Sequence, residues 1–392
     1  MHGNLEKKSL KNFADICEFH KCTGCSSCFS ACPCHCISMI EDSFGFLHPV
    51  IDKSICINCN LCKKTCPSNY SVVKNEPLSC FAARNKDNDE RSKSTSGGLS
   101  FCFISEFLKK DGIVYCTIFD SSKKRFSFQR FDSRTFENTS DTIRGSKYTQ
   151  ALIGDAFINL KNDLDQGNKV LFISIPCQVA GLLSYLGKEY QELTTIDIVC
   201  HGVPSQKMLF DHIHSLNIPE NRISNIIFRK GPKYNLNISD ESDKAIYSAN
   251  LFHDKYLEGF LSNMSLRLSC YHCQYASKKR IGDITLGDFW GLTNDSLRIE
   301  DGVNLVLINT EKGRKLFKLI VNRIEAHERS THEAIEGNSQ LCCPAQPHPH
   351  YLKFRKYFLS MSFDESISKS RKLRTRLRYL PFINKVVEKR YK

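Results

Sequence analysis

The sequence predicts a mixed α/β protein (α+β overall), with a small cysteine-rich unit at the N-terminus and a larger α/β region behind it. Two observations carry this prediction. Between residues 22 and 66, cysteines recur at a fixed spacing. Further along, apolar runs over residues 169–175 and 194–200 each lead directly into a stretch of helical character. Strand–helix units in succession are typical of a parallel sheet with right-handed crossovers. A further strand and helix are predicted over residues 302–325.

Composition and cysteine content restrict the class of protein. At 392 residues, with 41% hydrophobic and 25% charged residues, the chain is long enough for two or three globular domains. Its first residues lack the apolar core of a secretory signal, and no apolar run approaches the roughly eighteen residues of a membrane span. Twenty cysteines without such a signal indicate metal and redox chemistry in a reducing compartment, so we expect a cytoplasmic protein.

The N-terminal cysteines repeat one frame twice: three cysteines at two-residue gaps, then a fourth three residues later, followed by proline. Three thiolates on one tight loop converge on one cluster, and the fourth ligates the other cluster. The frame therefore predicts two [4Fe–4S] centres. Zinc motifs commonly use two Cys-x-x-Cys pairs, so the spacing disfavours zinc and a disulfide scaffold. The predicted ligands are Cys22, Cys25, Cys28 and Cys66 for the first centre, and Cys56, Cys59, Cys62 and Cys32 for the second.

Three more cysteines lie beside these frames, namely Cys17, Cys34 and Cys36. We predict that they are not ligands, because the two frames already fill all eight positions. Gly45 is expected to turn a small hairpin between the frames. Residues 1–68 are therefore predicted to form a ferredoxin-type domain with two [4Fe–4S] clusters.

Four later cysteines form a second group. Cys177 and Cys200 follow the two predicted buried strands, and the carboxyl ends of such strands are where α/β sheets bind ligands. Both also precede helix N-termini, which favour thiolates. The alternative is two buried apolar cysteines. Cys270 and Cys273 form a Cys-x-x-Cys pair that suits half a zinc ribbon or a redox pair. Together the four supply the number of thiols that a third [4Fe–4S] centre needs.

These motifs, with several others, resemble the coenzyme F420 hydrogenase/dehydrogenase β-subunit family. The likeness runs from roughly residue 80 to residue 350. Its elements are Ser96-Gly97-Gly98, Gly145-Ser146-Lys147-Tyr148, Pro176-Cys177-Gln178 with Gly181-Leu182, Cys200-His201-Gly202, Cys270-x2-Cys273, and the run from Gly282 to Gly291. One departure is Ser174-Ile175 before Pro176, where the family usually has Gly-Thr.

The resemblance implies a flavin and iron–sulfur domain over residues 78–350. It implies FAD near Ser96, Gly97, Gly98, Lys147 and Tyr148, and a cluster at the four later cysteines. The phosphate-cradling role of a Ser/Gly cluster at a helix start fits this placement, although such clusters often only begin a helix.

Three residues are candidates for chemistry. Lys147 would steady an anionic flavin or its phosphate, or be a surface salt-bridge lysine. Asp288 would position a substrate or ribose, or be a turn aspartate. His201, which is next to Cys200, would support this ligand of a cluster. Alternatively, it would act as a base to a nucleophile.

We therefore predict an iron–sulfur flavoprotein oxidoreductase. It would pass electrons between the ferredoxin-type clusters, a third [4Fe–4S] centre and FAD, to reduce or oxidise an organic substrate or a deazaflavin- or nicotinamide-type coenzyme. One alternative is a non-catalytic electron-transfer subunit that docks a partner reductase, for example one that takes part in surface-polysaccharide synthesis. Another is a Cys200–His201 thiol enzyme with a ferredoxin appendage. Expected partners are a redox protein or soluble electron donor and a small-molecule substrate.

The net charge of +13 is concentrated at the C-terminus, where Lys369 to Lys392 hold ten Lys/Arg and one Glu. The rest of the chain is nearly balanced, and no nucleic-acid partner is predicted. Residues 351–392 are predicted to form a basic helical tail. Such a tail is either a solvated helix or a peripheral contact with an anionic membrane or a partner.

Overall fold

A computed structural model describes residues 13, 15–136, 141–231, 233–293, 296–298 and 302–371. The second half of the predicted basic tail, residues 372–392, lies outside the described residues, as do residues 1–12 and residue 14 at the start of the chain. Among the described helices, none combines the length and the apolar character that crossing a membrane requires.

The N-terminal unit is built around one antiparallel hairpin of strands β1 (Ile37–Glu41) and β2 (Leu47–Ile51). Gly45 turns this hairpin with a φ of +80°, as predicted. Short helices α1 (Ser27–Ser30) and α2 (Leu61–Lys64) carry the third cysteine of each frame. The residue before each helix adopts a left-handed conformation, so the repeated spacing produces a repeated local structure.

An eight-stranded mixed sheet forms the core of the remaining chain. Its strands are β3 (Ser79–Asn85), β4 (Ile113–Asp120), β5 (Arg125–Phe131), β6 (Val170–Ser174), β7 (Leu193–Ile198), β11 (Ile284–Asp288), β12 (Asn304–Ile308) and β13 (Ile324–Arg329). They lie in the order β13-β3-β12-β11-β7-β6-β4-β5, and the four strands β11, β7, β6 and β4 pair in parallel. The predicted parallel pairing of the two buried strands is confirmed, with Val170 opposite Leu193.

A separate antiparallel sheet is formed by β8 (Asn225–Lys230), β9 (Lys233–Ser239) and β10 (Ala245–Asn250), with β9 in the middle. The remaining helices are α3 (Asn88–Ser92), α4 (Leu99–Leu108), α5 (Ser133–Phe136), α6 (Ala156–Asp165), α7 (Pro176–Leu186), α8 (Gln206–Ser215), α9 (Lys255–Leu261), α10 (Glu311–Lys318), α11 (Thr331–Gly337), α12 (Tyr351–Phe358) and α13 (Phe363–Ser370). The last two bury Phe354, Phe358, Phe363 and Ile367 in the same hydrophobic cluster as the large sheet.

The N-terminal hairpin packs directly on this core. Ser205 Oγ donates a hydrogen bond to the Phe44 carbonyl oxygen at 2.6 Å. Phe44 stacks on Phe358, and Phe46 belongs to the main hydrophobic cluster. The two cysteine-bearing parts of the chain are therefore held against each other by buried apolar contacts.

Candidate functional site

A cavity of about 270 Å³ opens where β6, β7 and β11 end. It is lined by most of the residues that the sequence singled out for cofactor binding and chemistry, namely Ser96, Gly98, Lys147, Tyr148, Cys200, His201 and Asp288. This is the edge of a parallel sheet at which ligands bind in α/β folds.

The loop before α4 is fixed by the start of β12. Ser96 Oγ donates to the Val303 carbonyl oxygen at 2.9 Å, and Leu99 N–H donates to Asn304 Oδ1 at 3.1 Å. Gly98 precedes α4 with a φ of +78°, which favours glycine. Gly97 packs against the sheet rather than lining the cavity, because a Cβ there would lie 2.6 Å from the Ala83 carbonyl oxygen. The motif therefore holds a backbone turn against the sheet at the cavity edge.

Lys147 is bound to its own loop. Its Nζ donates to the carbonyl oxygens of Ile143, Arg144 and Gly145 at 2.9, 2.7 and 3.0 Å. Burial lowers the pKa of this amine to about 8, although the nearby Cys116 acts in the opposite direction. The ammonium group thus contributes positive charge beside the Ser96–Gly98 turn.

At another part of the cavity, Arg229 is held among aromatic rings. Its Nη1 donates to Asp288 Oδ2 at 2.6 Å, and its guanidinium lies 5.2 Å from the Tyr234 ring centre and 5.9 Å from that of Trp290. Arg229 is only 4% exposed, and its Nε has no hydrogen-bond partner within the described part of the chain. A buried donor of this kind is available to a ligand.

Arg229 was not predicted from the sequence. Side chains alternate along a regular strand, and β8 buries Ile226 and Phe228. A register shift between Ile227 and Arg229 interrupts that alternation and turns the arginine inward. The Asp288 carboxylate that it meets lies 59 residues further along the chain.

A second cavity, of about 40 Å³, is lined by all four later cysteines, Cys177, Cys200, Cys270 and Cys273. Cys177 lies in the first turn of α7, Cys200 follows β7, and the other two flank the end of a short 3₁₀ helix. Burial raises the pKa of each thiol, that of Cys200 to about 12, and the charges of neighbouring thiols act in the same direction on Cys177, Cys200 and Cys270. Four convergent thiols are a donor set that fits a [4Fe–4S] cluster.

The two cavities share a wall. Cys200, His201 and Gly202 line both. Gly202 has a φ of +112°, its N–H donates to Cys200 Sγ at 3.4 Å, and a Cβ there would lie 2.8 Å from Leu266 Cδ1. Only glycine suits this position, and residues 200–203 together with Ile175 form the boundary between the two cavities.

The first N-terminal cysteine set surrounds a third, smaller cavity of about 20 Å³, lined by Cys22, Cys25, Cys28 and Cys66. Cys17, predicted not to be a ligand, also lines it. In the second set, burial and the charges of Cys59, Cys32 and Cys56 raise the pKa of Cys62, so these four thiols are neighbours. Cys36 Sγ lies 3.3 Å from Cys32 Sγ. Within the described ranges, no three His, Cys, Asp or Glu residues form a group that could hold one metal ion.

Comparison with known proteins agrees with this organisation. Residues 167–333 match the family model for the C terminus of the coenzyme F420 hydrogenase/dehydrogenase beta subunit. Residues 21–70 match the model for a 4Fe-4S dicluster domain.

Among curated proteins, one subunit of the F(420)H(2) dehydrogenase of Methanosarcina mazei is 23% identical over 332 residues, which cover 80% of this chain and 86% of that protein. Among solved structures, a chain of the F420-reducing [NiFe] hydrogenase complex from Methanosarcina barkeri aligns at a TM-score of 0.45 and 17% identity, over 76% of this chain and 91% of that one. The chain is therefore similar to the coenzyme F420 hydrogenase/dehydrogenase β-subunit family over residues 167–333 and to 4Fe-4S dicluster domains over residues 21–70, which supports an iron–sulfur oxidoreductase.

Proposed function

We propose that the protein is an FAD-dependent oxidoreductase with three [4Fe–4S] clusters. Two clusters would occupy a ferredoxin-type domain over residues 1–68. The third would be held by Cys177, Cys200, Cys270 and Cys273, beside FAD in the 270 Å³ cavity of a domain over residues 78–350. The observation that carries the proposal is the wall of Cys200, His201 and Gly202 that the two cavities share.

Two regions of the cavity carry groups that would suit different parts of FAD. The Ser96–Gly98 turn, the first turn of α4 and the Lys147 ammonium group supply backbone donors and positive charge for phosphates. Aromatic rings of Tyr148, Tyr234 and Trp290 line the cavity elsewhere. When bound, FAD exchanges a hydride for single electrons, and [4Fe–4S] clusters carry those electrons one at a time.

Arg229 and Asp288 would position the substrate. Asp288 balances the charge of the guanidinium and occupies one side of it, while Nε remains to donate to a carbonyl or anionic group. We propose an organic substrate or a deazaflavin- or nicotinamide-type coenzyme, and the name of the curated relative favours the deazaflavin. Asp288 would thus act on the substrate through Arg229.

The second candidate is a non-catalytic electron-transfer subunit that docks a partner reductase. It is supported by the name of the curated relative, which is one subunit of a dehydrogenase. Reaction of the isolated chain with a dye and a two-electron substrate would favour the enzyme. Strict dependence on a second protein would favour the non-catalytic role.

Anaerobic purification followed by cofactor analysis tests the proposal. We expect about twelve iron and twelve labile sulfide per chain together with FAD. Cys270→Ser should lower the iron to about eight, which is the content of the N-terminal clusters alone. Cys342→Ser, at an exposed thiol, is the matched control and should change neither iron nor FAD. Stoichiometric zinc at the later cysteines would exclude the third cluster, and wild-type protein without flavin would exclude the hydride chemistry.

A further inference from the structure

The first N-terminal cysteine set faces the core of the protein. A Cβ on Gly181 of α7 would lie 2.9 Å from Cys25 Sγ. Thr23 lines both the cavity of this first set and the cavity of the four later cysteines. The first set is therefore the one that adjoins the later thiols.

The second set faces solvent. One thiol of the second set is exposed (Cys59), two are half-buried and one is buried, whereas in the first set three thiols are buried and one is half-buried. Around it, Ile55, Ile57 and Leu61 are 52%, 65% and 40% exposed. Single exposed apolar side chains are ordinary on a protein surface. Three of them within seven residues, interleaved with the cysteines of a predicted redox centre, make this an exposed segment rich in apolar side chains, which we call the docking face.

Three lysines and two aspartates lie beside the docking face, which gives it a net charge of +1. Lys53, Lys63 and Lys64 are exposed there. Of the nearby carboxylates, Asp52 accepts hydrogen bonds from the N–H and Oγ of Ser54, and Asp15 lies 3.9 Å from Lys63 Nζ. The face thus carries more positive than negative charge. A partner with an acidic surface is complementary to it and would be steered toward it.

We propose that the docking face receives a small acidic redox protein whose own cofactor lies among apolar and acidic residues. This inference rests on the clusters of the proposed function. Each encounter transfers one electron between the partner and the chain. One of the two proteins is thereby oxidised by one electron and the other is reduced by one electron, and no bond forms or breaks. Electrons from the partner would pass first to the cluster of the second N-terminal cysteine set. They would then pass to the cluster of the first set and from there to the cluster at the four later cysteines.

The test uses full-length, cluster-loaded protein and a reduced acidic bacterial ferredoxin as the probe. Stopped-flow measurement gives the second-order rate of electron transfer, and reduction by a viologen dye gives a rate that needs no protein docking. Two variants perturb the face: Ile57→Glu, and the combined change Lys53→Glu, Lys63→Glu and Lys64→Glu. Val321→Glu is the control, since Val321 is a 46% exposed apolar residue outside the docking face.

We expect each face variant to lower the ratio of the ferredoxin rate to the dye rate by about tenfold or more, because association loses apolar contact or electrostatic steering. Val321→Glu should leave the ratio unchanged, and added salt should slow the wild-type ferredoxin reaction. Ratios that stay at the wild-type level in both variants would overturn the inference. So would a wild-type dimer that Ile57→Glu converts to monomer, since the occupant would then be a second copy.

Iron content and electron paramagnetic resonance separate this inference from the proposed function. Wild-type protein without clusters in the N-terminal sets would overturn both. Clusters present in every variant, with unaltered ferredoxin kinetics, would overturn the docking face alone.

Discussion

Arg267 Nη2 lies 3.6 Å from Cys22 Sγ, and Arg267 Nε donates to the Cys22 carbonyl oxygen at 2.8 Å. The side chain is buried, and its remaining hydrogen bonds reach the Leu47 carbonyl oxygen, Gln150 Oε1 and His48 Nε2. It also lines the cavity of the four later cysteines. One guanidinium therefore connects the backbone of the N-terminal unit, a thiol of the first cysteine set and the neighbouring cavity.

We predict that Arg267→Gln lowers the reduction potential of the first N-terminal cluster. A reduced cluster carries an additional negative charge, which a buried positive charge stabilises. Potentiometric titration followed by electron paramagnetic resonance measures the effect. Arg267→Lys, which keeps the charge, should retain most of the wild-type potential. Arg314→Gln, on an exposed helix, should have no effect, and an equal potential in the Gln and Lys variants at position 267 would contradict the prediction.

Gly181 is predicted to be essential because it allows the loop of the first N-terminal cysteine set to pack closely against α7. A Cβ at this position would lie 2.8 Å from Cys25 Cβ and 2.9 Å from Cys25 Sγ. Gly181→Ala should therefore cost about 1–3 kcal/mol of stability through overpacking and lower the iron content. Gly187→Ala, at the C-terminus of the same helix, meets no atom within 4 Å, so it should lower stability only through backbone strain at a φ of +64° and leave the iron content unchanged. Equal iron content in the two variants would show that the contact is not needed.

Local sequence patterns predicted the cysteine frames, the Gly45 turn and the paired strands β6 and β7, because each depends on spacing within a short segment. The position of Cys177 and Cys200 at strand ends followed from the same patterns. The contact between Cys25 and Gly181 joins segments that are distant in sequence, so no local pattern contains it.

Two features show how tertiary packing overrode local preference. The helix predicted within residues 302–325 was expected to reach Ile324, but α10 ends at Lys318. Ile320 and Ile324 are buried there, and β13 begins at Ile324 to pair with β3. β-branched residues favour such a strand. The inward turn of Arg229 likewise depends on a bulge, which alternation alone did not reveal.

Gly97 is predicted to control FAD binding through the sheet rather than through direct contact. A Cβ there would lie 2.6 Å from the Ala83 carbonyl oxygen and 2.9 Å from Asn304 N, both backbone atoms. Gly97→Ala should therefore displace the turn before α4 and reduce the FAD content of purified protein several-fold, roughly as expected for an overpacked site. The iron of the N-terminal clusters should remain.

Gly154→Ala is the control for this change, because nothing lies within 4 Å of a Cβ at Gly154, so that this variant should strain only its own backbone at a φ of +52° and leave the FAD content unchanged. Flavin released from each protein is measured by chromatography and divided by protein concentration. Full FAD content in Gly97→Ala would show that the turn does not hold the cofactor.

His212 is predicted to make stability depend on pH. Its Nδ1 lies 2.6 Å from Asp364 Oδ1 and its Nε2 lies 3.0 Å from Asp254 Oδ2. Burial alone would lower the pKa of this imidazole, but the hydrogen bonds to the two carboxylates raise it to about 9. The charged ring therefore joins α8 to the start of α9 and to α13.

Because the folded pKa lies above the ordinary value of 6.5, the folded state binds this proton more tightly than the unfolded state. The resulting stabilisation is fully present below pH 6.5 and is lost as the pH rises through about 9. We expect the free energy of unfolding in urea to fall by on the order of 3 kcal/mol across this window relative to His212→Gln. His214→Gln, at an exposed histidine of the same helix that pairs with Glu220, should keep the wild-type dependence. If His212→Gln shows the same loss of stability with pH as the wild type, the imidazole does not carry it.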